Sequence, residues 1–477
     1  MTDGIKNSRP VSNQVKIPKE LVQLLRQETY SLLIKGHTGT GKTTLALSIL
    51  KELNINKNCL YISTRVSPAN LFQNYPWIKK FFNLSKKTEP AEASENEKNN
   101  TMFVDGRLDE PTSLFERITN ELMDMYAPTI IIDTWDAIGF LMDKEALMNN
   151  ARVLQMWRER AGAKIIFVTE VPEDKTLDFL VDGIVELRQK HHNERRVREI
   201  FLSKLRGVRI NKPFYIFSVN NNLFHSYDHY NPSEFLDAVY FPPSKDITNS
   251  DLFKNKSHFT TGYHELDEIL DGGFPVGCTI SIELNPHVNA KIAFAFLSKI
   301  IINFIASQNS LIFQPFEKTG ADIITQYMKS FGSQNDLIKI ITTSTQSKKS
   351  TTTKMNTDMQ LDQIQQIIQK IKKIHQKKML LTILGPETVN LFSKTDSSTD
   401  GLESLSSIKS NSDLSIFISR HLPDNRHTQL SEISDIRLSI LDIDGTIFLQ
   451  SEIPWSHLFA IVAPSVKDQG IKLESIV

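Results

Sequence analysis

The segment Tyr30–Thr44 reads YSLLIKGHTGTGKTT. Within it Gly36-His37-Thr38-Gly39-Thr40-Gly41-Lys42-Thr43 fits the pattern GxxxxGK[ST] between an apolar run of strand length and a helical pattern. This pattern constrains the fold more than any other stretch, because it needs a strand to deliver it and a helix to receive it. Glycines at 36, 39 and 41 let the backbone turn its N–H groups onto a phosphate, and the next helix offers its positive end. Lys42 is placed to reach the β- and γ-phosphates and Thr43 to join a Mg²⁺ shell, while Thr44 packs on the helix or touches the nucleotide. The expected ligand is ATP with Mg²⁺, held by Gly36, His37, Thr38, Gly39, Thr40, Gly41, Lys42, Thr43 and Thr44.

Such a site also needs an acid where a neighbouring buried strand ends. Pro128-Thr129-Ile130-Ile131-Ile132-Asp133 supplies one. Lys42, Thr43 and Asp133 are therefore the expected catalytic set, with Thr43 and Asp133 holding the metal. Asp133 also suits the cap of a following helix, and the two roles can coexist.

Apolar runs of strand length alternate with helical patterns over the first 220 residues or so: Tyr30–Lys35, Cys59–Ser63, Thr129–Ile132 and Lys164–Thr169. Alternation of this kind predicts an α/β fold with a parallel sheet and crossover helices. Ile184–Leu187, Glu199–Lys204 and Phe214–Val219 follow without intervening helices and predict an antiparallel extension. The pattern restarts with Thr279–Glu283, Ser310–Gln314, Leu380–Leu384 and Leu414–Ile418. The predicted organisation is a nucleotide-binding domain over 1–240 with a disordered insertion at 84–100, a linker at 241–258, and a second domain over 259–477. Polar stretches at 343–358 and 393–413 are read as surface loops or disorder.

Lys plus Arg (55) equals Asp plus Glu (55) in 477 residues, which excludes indiscriminate coating of nucleic acid. Two isolated cysteines, Cys59 and Cys278, fit a reducing compartment. The longest apolar stretch, Ile292–Ala306, is too short and too interrupted to span a bilayer. The expectation is a cytoplasmic protein with no membrane partner.

The P-loop, LYISTRVSPANLFQNYPW (Leu60–Trp77), IIIDTWDAIG (Ile130–Gly139) and FLVDGIVELRQKHHNERRVREIFLSKLRGVRINKPFYIF (Phe179–Phe217) together resemble the RecA superfamily in its branch of KaiC-type ATPases. They are more closely similar to the archaeal gas vesicle protein D family. The resemblance implies two RecA-like P-loop domains and assembly into a ring or filament. It also implies a regulatory role in which nucleotide state controls a protein partner, a transcription activator in that family. In KaiC-type ATPases a pair like Lys204 and Arg206 reaches the neighbouring subunit's γ-phosphate, so both are carried over as a finger acting in trans. Where that family has two adjacent glutamates to activate water, this chain has Arg65-Val66, neither of which is a general base near neutral pH. Binding with weak or slow hydrolysis is therefore expected; Asp136 and Glu170, each just past a core strand, are read either as surface caps or as substitutes for orienting water.

Gly262–Gly277 resembles the segment that opens a KaiC-type domain, but Leu284-Asn285-Pro286-His287-Val288-Asn289-Ala290-Lys291-Ile292 stands where a P-loop belongs. The glycines are gone, Ala290 replaces the lysine, and no acid ends the strand Met379–Leu384. The second domain is read as degenerate. Asp444-Gly445 fits a hairpin turn. The run Arg188–Lys212 holds nine Lys or Arg against two Glu. DNA, a neighbour's phosphate and an acidic protein surface all remain open as its partner, which keeps an active recombination or repair ATPase as the alternative function.

Overall fold

Runs of aliphatic residues with few polar interruptions make the centre of a sheet, because every position must face a covering layer. The computed structural model describes residues 15–83, 101–123, 125–140, 142–236, 257–314, 338–340, 353–376, 378–385, 389, 398–420, 428–463 and 470–476. The chain divides into two compact units, Met1–Asp228 with Ile476–Val477, and His229–Ser475. The segment 84–100 lies outside the described residues, as does all of 241–258 except Ser257 and His258.

In the first unit the strands are β1 (Tyr30–Lys35), β2 (Cys59–Ser63), β3 (Met102–Asp105), β4 (Thr129–Asp133), β5 (Lys164–Thr169), β6 (Gly183–His192), β7 (Arg195–Leu205), β8 (Phe214–Ser218) and β9 (His225–Ser226). They form one sheet in the order β3-β2-β4-β5-β1-β6-β7-β8-β9. Pairings from β3 through β1 to β6 are parallel, and those from β6 through β9 are antiparallel. β1, β2 and β4 are buried at every position. The helices Lys19–Leu25 and Lys42–Glu52 cover one face through Leu21, Leu24, Leu45 and Ile49. Pro111–Met123 and Lys144–Ala161 cover the other through Leu114, Ile118 and Leu154.

The second unit contains the short helix Pro232–Leu236 and a two-stranded pair, β10 (His258–Phe259) and β11 (Phe274–Pro275). Its sheet comprises β12 (Thr279–Leu284), β13 (Ser310–Phe313), β14 (Ile338–Ile340), β15 (Leu380–Leu384), β16 (Leu414–Arg420), β17 (Ile436–Ile443), β18 (Thr446–Ile453), β19 (Phe459–Val462) and β20 (Lys472–Ser475). The order is β14-β13-β15-β16-β12-β17-β18-β19-β20, which repeats the first unit strand for strand. Both units are thus α/β sheets of the same RecA-like topology, with the first strand at the same place in each. β17 and β18 form a hairpin closed at Ile443 and Thr446, as Asp444-Gly445 suggested.

Two expectations are corrected. Part of 343–358 belongs to the helix Thr353–Ile374, and most of 393–413 is the helix Ser398–Ser410. Serine content made the second of these read as a loop. Leu405 and Ile408, three apart on one helical face, are buried against Ile364, Ile368 and Ile371 of the first helix, and that apolar contact fixes the segment as helix.

Candidate phosphate site

In an open α/β sheet, ligands bind beyond the carboxyl ends of the strands. β1 ends at Lys35 and the loop from Gly36 to Gly41 leads into the helix Lys42–Glu52. Gly36 has φ +153°, and a Cβ there would stand 2.6 Å from the Leu187 carbonyl oxygen, so the loop passes β6 too closely for any side chain. Gly41 caps the helix at φ +102°, in the left-handed region that favours glycine. The His37 carbonyl accepts from Thr40 Oγ1 at 2.8 Å and from Lys42 Nζ at 2.8 Å, which holds the loop curled over the helix start.

Lys42 is only 5% exposed, and burial lowers its pKa to about 8. It remains an ammonium at neutral pH while carrying little hydration, which suits it to take a phosphate oxygen as its partner. Thr43 Oγ1 donates to Asp133 Oδ2 at 2.7 Å, and the buried Tyr61 hydroxyl donates to the same oxygen at 2.6 Å. Burial, and then the Asp133 charge, hold the Tyr61 phenol well above its usual pKa, so it stays a donor. Tyr61 was not singled out from sequence: inside an all-apolar strand it reads as core. Thr44 Oγ1 shares a hydrogen bond of 2.9 Å with the Tyr75 hydroxyl.

Thr43 and Asp133 bring two hard oxygens together beside the phosphate loop, a donor set that fits Mg²⁺. Among the described residues no cluster of His, Cys, Asp and Glu competes as a metal site. With Mg²⁺ bound, these residues would hold it where it supplies charge neutralisation to the phosphates.

Three further polar residues surround Lys42. Glu170 follows β5, with Oε1 3.7 Å from Lys42 Nζ and Oε2 ion-paired with Arg65. Asp136 accepts from Thr169 Oγ1 at 2.7 Å and from the Glu170 amide, and burial raises its pKa. The two candidates for orienting water are therefore tied to each other and to Arg65. The 105-residue separation hid this from sequence.

Residues 25–229 match the family model described as "ATPase: KaiC". The first unit is a KaiC-like ATPase domain. The chain is 27% identical over 312 residues to Protein GvpD1 of Halobacterium salinarum, covering 63% of this chain and 56% of that relative. Protein GvpD2 of the same organism is 26% identical, over 62% of this chain and 61% of its own length. The circadian clock oscillator protein KaiC of Picosynechococcus sp. is 27% identical, over 51% of this chain and 46% of its own. The chain thus spans less than two thirds of each of these relatives.

Within the KaiC-like unit, Lys204 Nζ donates to the carbonyls of Asp178 (2.9 Å) and Val181 (2.7 Å), both in its own chain. Arg206 lies just past β7, 67% exposed, with NH1 3.1 Å from Asp182 Oδ1. Part of the basic hairpin is paired within the unit: Arg188 forks onto Glu186 at 2.8 Å, and Lys190 pairs at 2.7 Å with fully buried Glu199. Arg195 and Arg198 are themselves buried.

The second unit replaces the phosphate cradle with its own side chains. Asn285 Oδ1 accepts from the His287 amide at 3.2 Å and Asn289 Oδ1 from the Lys291 amide at 2.9 Å. Arg420 donates to the Val288 carbonyl at 3.1 Å, while Val288 and Ala290 are buried. No residue from Asn285 to Lys291 adopts a positive φ. Among the described residues no helix is long and apolar enough to cross a membrane.

Proposed function

We propose that the chain is an ATP-binding regulatory protein in which the KaiC-like unit holds Mg-ATP and the second unit is a scaffold without a nucleotide. The observation that carries this is the convergence of Thr43 and Asp133 at 2.7 Å beside Lys42, set against a second loop whose amides are capped by Asn285 and Asn289. Gly36–Thr44 wrap the phosphates, Lys42 neutralises them, and Thr43 with Asp133 orients the metal side.

Hydrolysis in this reading is slow. A water-orienting base is missing from the turn after β2, where Arg65 stays protonated and Val66 has no ionisable group. Nucleotide occupancy then acts as a state to be read by a protein partner. The chain is similar to GvpD1 and GvpD2 as well as to a clock oscillator protein, and a transcription activator is the partner class we carry over from the resemblance. Assembly of several copies belongs to the same reading. Arg206, being exposed, is the finger candidate available to a neighbouring copy, whereas Lys204 serves its own backbone.

ATP turnover measured with and without single-stranded DNA tests the proposal. The expected result is slow turnover indifferent to DNA. Rapid turnover stimulated by DNA would replace the regulatory reading with the recombination ATPase.

A further inference from the structure

Glu170 sits between two cations. Its Oε1 faces Lys42 Nζ at 3.7 Å, and its Oε2 pairs with the Arg65 guanidinium. The strand order explains the meeting. β2 pairs with β4 (Ser63 opposite Asp133), β4 with β5 (Asp133 opposite Val168), and β5 with β1 (Thr169 opposite Lys35). At about 4.8 Å per strand, the end of β2 lies roughly 10 Å from the end of β5, with β4 between them. Arg65 and Glu170, each just past its strand, extend toward each other over Asp133 and close that gap. The Glu170 backbone is pinned by its amide donating to Asp136, while its side chain is 23% exposed and that of Arg65 is 49% exposed. Both side chains therefore have room to change rotamer.

A carboxylate flanked by a lysine and an arginine has the charge and the donors that a terminal phosphate would have in its place. We propose that Arg65 and Glu170 form a triphosphate sensor in cis. Glu170 stands in for the γ-phosphate when none is bound, and a γ-phosphate arriving beside Lys42 takes Arg65 from it. A nucleoside diphosphate ends one phosphate short and leaves the Arg65–Glu170 pair intact. Arg65 thereby sets the preference for triphosphate over diphosphate, and the released Glu170 side chain reports the exchange at the surface of the unit. The inference rests on the nucleotide reading above.

The test is equilibrium binding of ADP and of the β,γ-imido analogue of ATP to the full chain in Mg²⁺. Losing one charge-assisted hydrogen-bonded contact, Arg65→Ala is expected to weaken the analogue ~10- to 100-fold while ADP affinity stays within about twofold. Glu170→Gln keeps the shape and removes the competing charge, so it is expected to tighten the analogue several-fold with ADP unchanged. Equal effects of Arg65→Ala on both nucleotides, no effect on either, or a weaker analogue in Glu170→Gln would overturn the sensor. Failure of the unmodified chain to bind ADP or the analogue would instead remove the nucleotide reading and the sensor with it.

Discussion

Thr43, in the first turn of the helix Lys42–Glu52, and Asp133, at the carboxyl end of β4, are 90 positions apart in the chain and joined by a hydrogen bond of 2.7 Å. The bond places a hydroxyl and a carboxylate where a phosphate-bound metal needs them. Thr43→Ala and Asp133→Asn are each expected to reduce Mg²⁺-dependent ATP binding by ~10-fold or more, while binding in EDTA changes little. Titration with a fluorescent ATP analogue in both buffers checks this, and equal losses in the two would contradict a metal role.

Tyr61 donates to the same Asp133 oxygen at 2.6 Å. Tyr61→Phe is nearly isosteric but removes a buried hydrogen bond to a carboxylate, for an expected stability loss of about 1–3 kcal/mol in urea unfolding. A purely structural tyrosine would stop there. As a positioning residue it should also raise the Mg²⁺ concentration needed for half-maximal nucleotide binding.

Burial sets the pH response of the site. Lys42 in the free protein titrates at about 8 instead of its ordinary 10.5. Phosphate binding needs the cation, so ATP affinity is expected to be full near pH 7 and to fall as pH rises beyond 8, by up to tenfold per unit. Stability moves the opposite way. Between about pH 8 and 10.5 the unfolded chain holds a proton that the folded chain has lost, so this group's contribution to the ligand-free protein grows with rising pH across that window. Isothermal titration at pH 7, 8 and 9 together with urea midpoints over the higher range would reveal both trends; flat affinity from 7 to 9 would contradict the assignment.

Much of this was legible in the sequence where one local pattern determined one local structure. β1, β2, β4 and β5 announce themselves as nearly uninterrupted apolar runs, and the phosphate loop is a contiguous word. β3 was missed because only Val104 of its four residues is buried, so its composition resembles a loop. The strands from β17 onward were missed except for the Asp444-Gly445 turn, since their pairing depends on partners that a single strand does not name. The helix Ser398–Ser410 was masked by serines around Leu405 and Ile408. In the site, Lys42, Thr43 and Asp133 were readable because each follows a spacing rule. Tyr61 and the Arg65–Glu170 pair belong to tertiary contacts across three strands, for which the sequence carries no periodic signal.

Each chain is expected to offer one nucleotide site, in the first unit, while the second unit keeps the sheet without the ligand. The most direct measurement is the stoichiometry of Mg-ATP analogue binding to the full chain by isothermal titration, repeated for Lys42→Ala. One nucleotide per chain, abolished in Lys42→Ala, is the expected result. Two per chain, or binding that survives in Lys42→Ala, would overturn the single-site assignment.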